Sequence, residues 1–141
     1  MVARIRIVAV GKVKESYLLE GVGEYAKRLG PFCKLELIEI KDMGLEKEAK
    51  AFERYLGAGT YMLDVGGREF SSEEFAKFIK KHDRELTFII GSAEGIDESI
   101  KKRASAISFS KMTFTHDMCR LFLIEQIYRA HMINANRQYH R

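Results

Sequence analysis

The chain has 141 residues, 46% hydrophobic and 31% charged, with 24 Lys and Arg against 20 Asp and Glu. That length suits one domain over 1–141 with a single core, and the composition excludes a disordered or fibrous chain. A net charge of +4 favours a polyanionic partner without demanding one. Cys33 and Cys119 have no second Cys or His at metal-ligand spacing, so reduced thiols and no metal are expected. The first residues carry neither a leader pattern nor an apolar run of bilayer length, which points to a cytoplasmic protein with no membrane attachment.

Arg4 to Val10 is short and β-branched and reads as a strand. A helical stripe follows through Tyr17, Leu18, Val22, Tyr25 and Leu29, and Gly30 with Pro31 stops it before a second strand at Leu35 to Ile40. Leu45 to Leu56 places Ala49, Phe52 and Leu56 on one helical face, ahead of a strand at Tyr61 to Val65. Ser71 and Glu74 have the spacing of a capping box, opening a helix that buries Phe75, Phe78 and Ile79. Leu86 to Ile90 is an apolar run broken only by Thr87, as a central parallel strand covered on both faces would be. Strand and helix alternate, so the fold class is α/β: a mostly parallel sheet with helices on both faces.

From His116 to Ala135 the pattern is helical and apolar around much of its circumference. Such a helix is buried on several sides, either by a second copy of the chain or as the centre of a single core; the first is the favoured expectation.

In an open α/β sheet ligands bind where strands end at their carboxyl edge. Three loops qualify: Asp64 to Gly67, Gly91 to Gly95, and Ser108 to Phe114. Neither a dinucleotide-binding glycine fingerprint nor a phosphate-binding P-loop is present, so these loops suit a flat heterocycle held by main-chain groups between apolar side chains. Downstream, His116, Asp117, Arg120, Glu125, Arg129, His131, Arg137, His140 and Arg141 concentrate titratable and anion-binding groups. His116 and Arg120 share a helix face, and Glu125 with Arg129 has the spacing of an ordinary surface ion pair. The tail from Asn134 to Arg141 either is inert or reaches a site to stack on or bond RNA.

Phe88 to Gly95 (FIIGSAEG), Ser108 to Thr113 (SFSKMT), His116, Arg120 to Ala130 (RLFLIEQIYRA) and the terminal Tyr139-His140-Arg141 together resemble the large-subunit ribosomal RNA methyltransferase H family of the SPOUT class. Val8 to Gly11 and Glu24-Tyr25 extend the likeness over essentially the whole chain, in order, spacing and total length. The resemblance implies a C-terminal trefoil knot that forms an S-adenosylmethionine pocket, and a homodimer in which each active site borrows from the partner. It further implies methylation of N3 of a pseudouridine in large-subunit rRNA on the assembled ribosome. By position, cofactor contacts carry over to Leu63, Gly91 and the run Phe109, Ser110, Lys111, Met112, Thr113 and Phe114, mainly through the backbone. His140 and Arg129 are the expected proton-acceptor and anion-stabilising candidates. Tyr139 is expected to orient the base, and Arg120 and His116 to organise the pocket. Two other readings stand beside this one: a non-catalytic ribosome- or RNA-binding protein that kept the fold, and a SPOUT methyltransferase acting on transfer RNA.

Overall fold

The computed structural model describes residues 4–140. Five parallel strands form one sheet: β1 (Arg4–Val10), β2 (Lys34–Ile40), β3 (Thr60–Glu69), β4 (Glu85–Ile90) and β5 (Ser105–Ser108), in the spatial order β2-β1-β4-β3-β5. Alternation along the central strands explains why they carry apolar residues on both faces. Ile5, Ile7 and Ala9 of β1 and Leu86, Phe88 and Ile90 of β4 face one layer, while Val8, Val10 and Ile89 face the other.

The first layer is α1 (Ser16–Leu29), α3 (Ser72–Lys81) and α5 (His116–Asn134); the second is α2 (Leu45–Phe52) and the single turn α4 (Glu98–Lys101). The expected arrangement, parallel sheet with helices on both faces, is therefore the observed one. Helix α3 opens on the capping box that Ser71 and Glu74 predict: the Glu74 amide donates to Ser71 Oγ at 3.0 Å and the Ser71 amide to Glu74 Oε1 at 2.7 Å. Tyr17 departs from its expected stripe and is 66% exposed, whereas Leu18, Val22 and Leu29 are buried. The helix read over Leu45 to Leu56 ends at Phe52 and tightens into a 3₁₀ turn over Glu53–Tyr55.

Helix α5 lies between α1 and α3 against the sheet, burying Leu123, Ile124, Ile127 and Ala130. These neighbours within the same chain account for much of its apolar circumference. Met118, Leu121 and Phe122 stay only half-buried.

Two close approaches shape the carboxyl edge. The ladder between β3 and β5 breaks between Leu63 and Arg68, lifting Asp64 to Gly67 out of the sheet. The returning chain presses so hard on β5 that a Cβ at Gly67 would sit 2.6 Å from the Ala106 carbonyl carbon. At the end of β4, a Cβ on Gly91 would lie 2.3 Å from the Gly95 carbonyl oxygen, so the turn closes only with glycine there.

Candidate active site

The ends of β4, β3 and β5, three strands adjacent in the sheet, enclose a cavity of about 560 Å³, within the size range of small-molecule sites. Leu63, Gly91, Phe109, Ser110, Met112, Thr113 and Phe114 all line it, as does His116 at the start of α5. Lys111 does not; it is exposed. Asp64 is the only acidic residue in the wall, and its carboxylate accepts a hydrogen bond from the Gly66 amide at 3.1 Å. The rest of the wall is mostly apolar side chains and loop glycines, with hydroxyls from Ser92, Ser110, Thr113 and Thr115. A flat heterocycle can lie between the apolar walls while main-chain N–H and C=O groups satisfy its edge, so the donor set fits S-adenosylmethionine.

The polar residues of α5 and the tail divide into two groups. Arg120 is 6% exposed and turns away from the cavity; Nη2 donates to the Val10 carbonyl at the end of β1, with Asp117 and Glu39 within 4 Å of the guanidinium. Burial pulls its pKa down and the two carboxylates oppose that, yet a guanidinium stays charged at neutral pH. In this position Arg120 ties α5 to the sheet. His116 is 3.6 Å from Asp117.

The second group gathers Arg129, Tyr139 and His140 around Glu125. Glu125 Oε2 accepts hydrogen bonds from Arg129 Nη2 at 2.9 Å and from the Tyr139 hydroxyl at 2.7 Å. Arg129 also lies over the Tyr139 ring, 4.8 Å from its centroid, and Tyr25 meets the Tyr139 hydroxyl at 3.0 Å. Burial, then the bond to Glu125, push the Tyr139 pKa far up, so Tyr139 is a neutral hydrogen-bond donor. Arg129 Nη1 donates to His140 Nδ1 at 3.0 Å; an arginine can only donate, so the ring proton is on Nε2, which donates to Glu73 Oε1 at 2.6 Å. Arg141 lies outside the described residues.

Arg129, Tyr139 and His140 are thus together, and none lines the 560 Å³ cavity. Between that cavity and the second group is another cavity, of about 290 Å³. It shares Ile107, Ser108, Phe109 and Phe114 with the first and reaches Glu125 and Gln126 on α5. By spacing alone Glu125 is half of an ordinary surface ion pair with Arg129, and consecutive positions on a helix carry no sign that Glu125 and Gln126 share a cavity wall. His131, grouped with the polar residues by sequence, is 4% exposed, lies tilted against the Phe32 ring and donates through Nδ1 to the Ile127 carbonyl, apart from both cavities. Both cysteines are half-buried, and burial pushes the Cys33 thiol up to about 11. Among the described residues no cluster of His, Cys, Asp and Glu could hold a metal ion, and no helix is long and apolar enough to cross a membrane.

The family described as "Predicted SPOUT methyltransferase" matches residues 3–140. Ribosomal RNA large subunit methyltransferase H of Acetivibrio thermocellus is 42% identical, over 98% of this chain and 99% of its own length. The protein of the same name from Ligilactobacillus salivarius is 41% identical, over 97% of this chain and 99% of its own. These alignments run over 158 and 157 positions, more than the 141 residues of this chain, so the relatives carry residues that this chain lacks and the expected equality of total length does not hold. The crystal structure of TrmJ from Z. mobilis superposes with a TM-score of 0.51 at 8% identity, covering 92% of this chain and 70% of that one, a likeness of fold alone. With a cavity at the carboxyl edge and a family match across nearly every residue, the chain belongs to the SPOUT methyltransferase family.

Proposed function

We propose that the protein transfers a methyl group from S-adenosylmethionine to N3 of a pseudouridine in large-subunit ribosomal RNA, on the assembled ribosome, as a cytoplasmic homodimer. The observation that carries this reading is about 40% identity, over nearly the whole chain, to proteins named for methylation of that RNA. The backbone-lined cavity supports the choice of methyl donor. Threading of the chain end through the loops around residues 91–95 and 108–114, as a trefoil knot, is part of the same reading.

When bound, S-adenosylmethionine supplies an electrophilic methyl group on a sulfonium sulfur. The chain's own part would be to position N3 and to accept the proton that N3 gives up as it takes the methyl group. Leu63, Gly91 and, from the loop, Phe109, Ser110, Met112, Thr113 and Phe114 would hold the donor, so much of the acceleration comes from alignment. Arg129 places a cation beside the imide as it loses its proton. His140 takes that proton once its Nδ1 is released from Arg129. Tyr139, a neutral phenol, orients the base. Because these three lie outside the donor cavity of their own chain, the reading includes delivery of a tail to the partner's cavity. Half-buried Met118, Leu121 and Phe122 on α5, with Leu19 57% exposed on α1, supply an apolar surface for that partner.

The test is to incubate the protein with labelled S-adenosylmethionine and large ribosomal subunits from a strain lacking its gene, then map the methyl group by mass spectrometry. Label at N3 of one pseudouridine is the expected result. Label on transfer RNA, or cofactor binding without transfer to any RNA, would reject it.

A further inference from the structure

The second cavity has the composition of a nucleobase pocket. Phe70, Phe109, Phe114 and Phe122 contribute aromatic wall, with Phe114 and Phe122 packed edge-to-face at 5.3 Å. A volume near 290 Å³ suits a single nucleoside rather than an oligonucleotide. Exposed Arg68 lies over the Phe70 ring, 4.4 Å from its centroid, where its charge can meet a phosphate. Enzymes that modify a base in RNA take it out of the stack, hold it between aromatic side chains and read its edge by hydrogen bonds. Because the two cavities share Phe109 and Phe114, a base seated here is one side chain away from the donor.

One group in the wall is built for reading an edge. Ser72 Oγ donates to Gln126 Oε1 at 2.8 Å, and Gln126 Nε2 donates to Glu125 Oε1 at 3.1 Å, which fixes the plane and the orientation of the amide. One amide hydrogen and one oxygen lone pair of Gln126 remain. We propose that this cavity takes the target base and that Gln126 determines its identity, donating to the C2 carbonyl oxygen of pseudouridine and accepting from its N1–H. Uridine cannot make the second bond, because its N1 carries the ribose. Ser72 and Glu125 are positioning residues: they act through the amide. This inference rests on the methyltransferase reading above and adds to it the site that recognises the base.

The experiment compares wild type, Gln126→Leu and Ser72→Ala on large subunits carrying either pseudouridine or uridine at the target, with S-adenosylmethionine affinity measured by calorimetry. A good bidentate pair discriminates about 10- to 100-fold. Gln126→Leu should lose at least tenfold in kcat/KM on pseudouridine and most of the preference over uridine, with cofactor affinity within twofold; Ser72→Ala should show the same loss in smaller measure. Wild-type kcat/KM and preference in Gln126→Leu would overturn the proposal. If wild type itself transfers nothing to ribosomal RNA, the functional reading fails, and NMR titration with pseudouridine 5′-monophosphate and uridine 5′-monophosphate decides the pocket separately. Preferential binding of the pseudouridine nucleotide that Gln126→Leu removes supports the pocket; equal binding by both proteins overturns it.

Discussion

The 560 Å³ cavity proposed to hold the methyl donor and the tail cluster lie on either side of the 290 Å³ cavity and are built by opposite means. The donor cavity is made of turns whose geometry is set by glycines and a ladder break, with Asp64 the only acidic side chain in its wall. The tail cluster is made of side chains: Glu125, Arg129, Tyr139, His140 and Glu73 bring α5, α3 and the chain end together through charged and hydroxyl groups. A backbone-built site tolerates many side chains but very little added volume, whereas a side-chain cluster tolerates volume at its edges and no loss of a member.

The largest expected effect comes from adding one methyl group to the backbone-built side. Gly91→Ala places a Cβ where the Gly95 carbonyl already stands, so the loop must shift by more than half an ångström; overpacking of this kind costs about 1–3 kcal/mol. S-adenosylmethionine affinity measured by calorimetry should fall at least tenfold, while the tail cluster, reported by the Tyr139 environment, is unchanged. Undiminished affinity would show that the close approach at Gly91 does not shape the donor site. A smaller effect, confined to stability, is expected away from both regions. Glu48 is 2% exposed and accepts the Met43 and Gly44 amides at 2.9 Å each, holding the entry to α2. Glu48→Ala should cost about 1–3 kcal/mol in a denaturant titration, with cofactor affinity and turnover at 25 °C unaltered. A change in affinity there would mean that the donor cavity is coupled to the opposite helix layer.

Much of this division was legible in the sequence, for reasons that differ by region. Hydrophobic period and end signals placed β1, α1, β4 and α5 within a residue or two, and the Ser71 and Glu74 spacing located the start of α3. Strand β5 and helix α4 are not legible in the sequence, since four residues carry too little periodicity and β5 pairs with β3, about forty positions away. The three loops that line the 560 Å³ cavity could be picked out because ligand sites fall at strand ends whatever the strand order. The cavity reaching Gln126 could not, because it depends on α3 and α5 coming together and on the Phe70 to Phe75 segment closing one side. Arg120 shows the limit of helical spacing: it does share a side of α5 with His116, but it lies one turn deeper, where the Val10 carbonyl takes it and the cavity is out of reach.

Removal of Tyr139 to Arg141 tests the separation of donor site and tail most directly. The shortened chain should bind S-adenosylmethionine with an affinity within twofold of the full chain, by calorimetry, and transfer no detectable methyl group to ribosomal RNA. Loss of both together, or turnover that survives the deletion, would contradict a tail that serves the RNA side of the reaction alone.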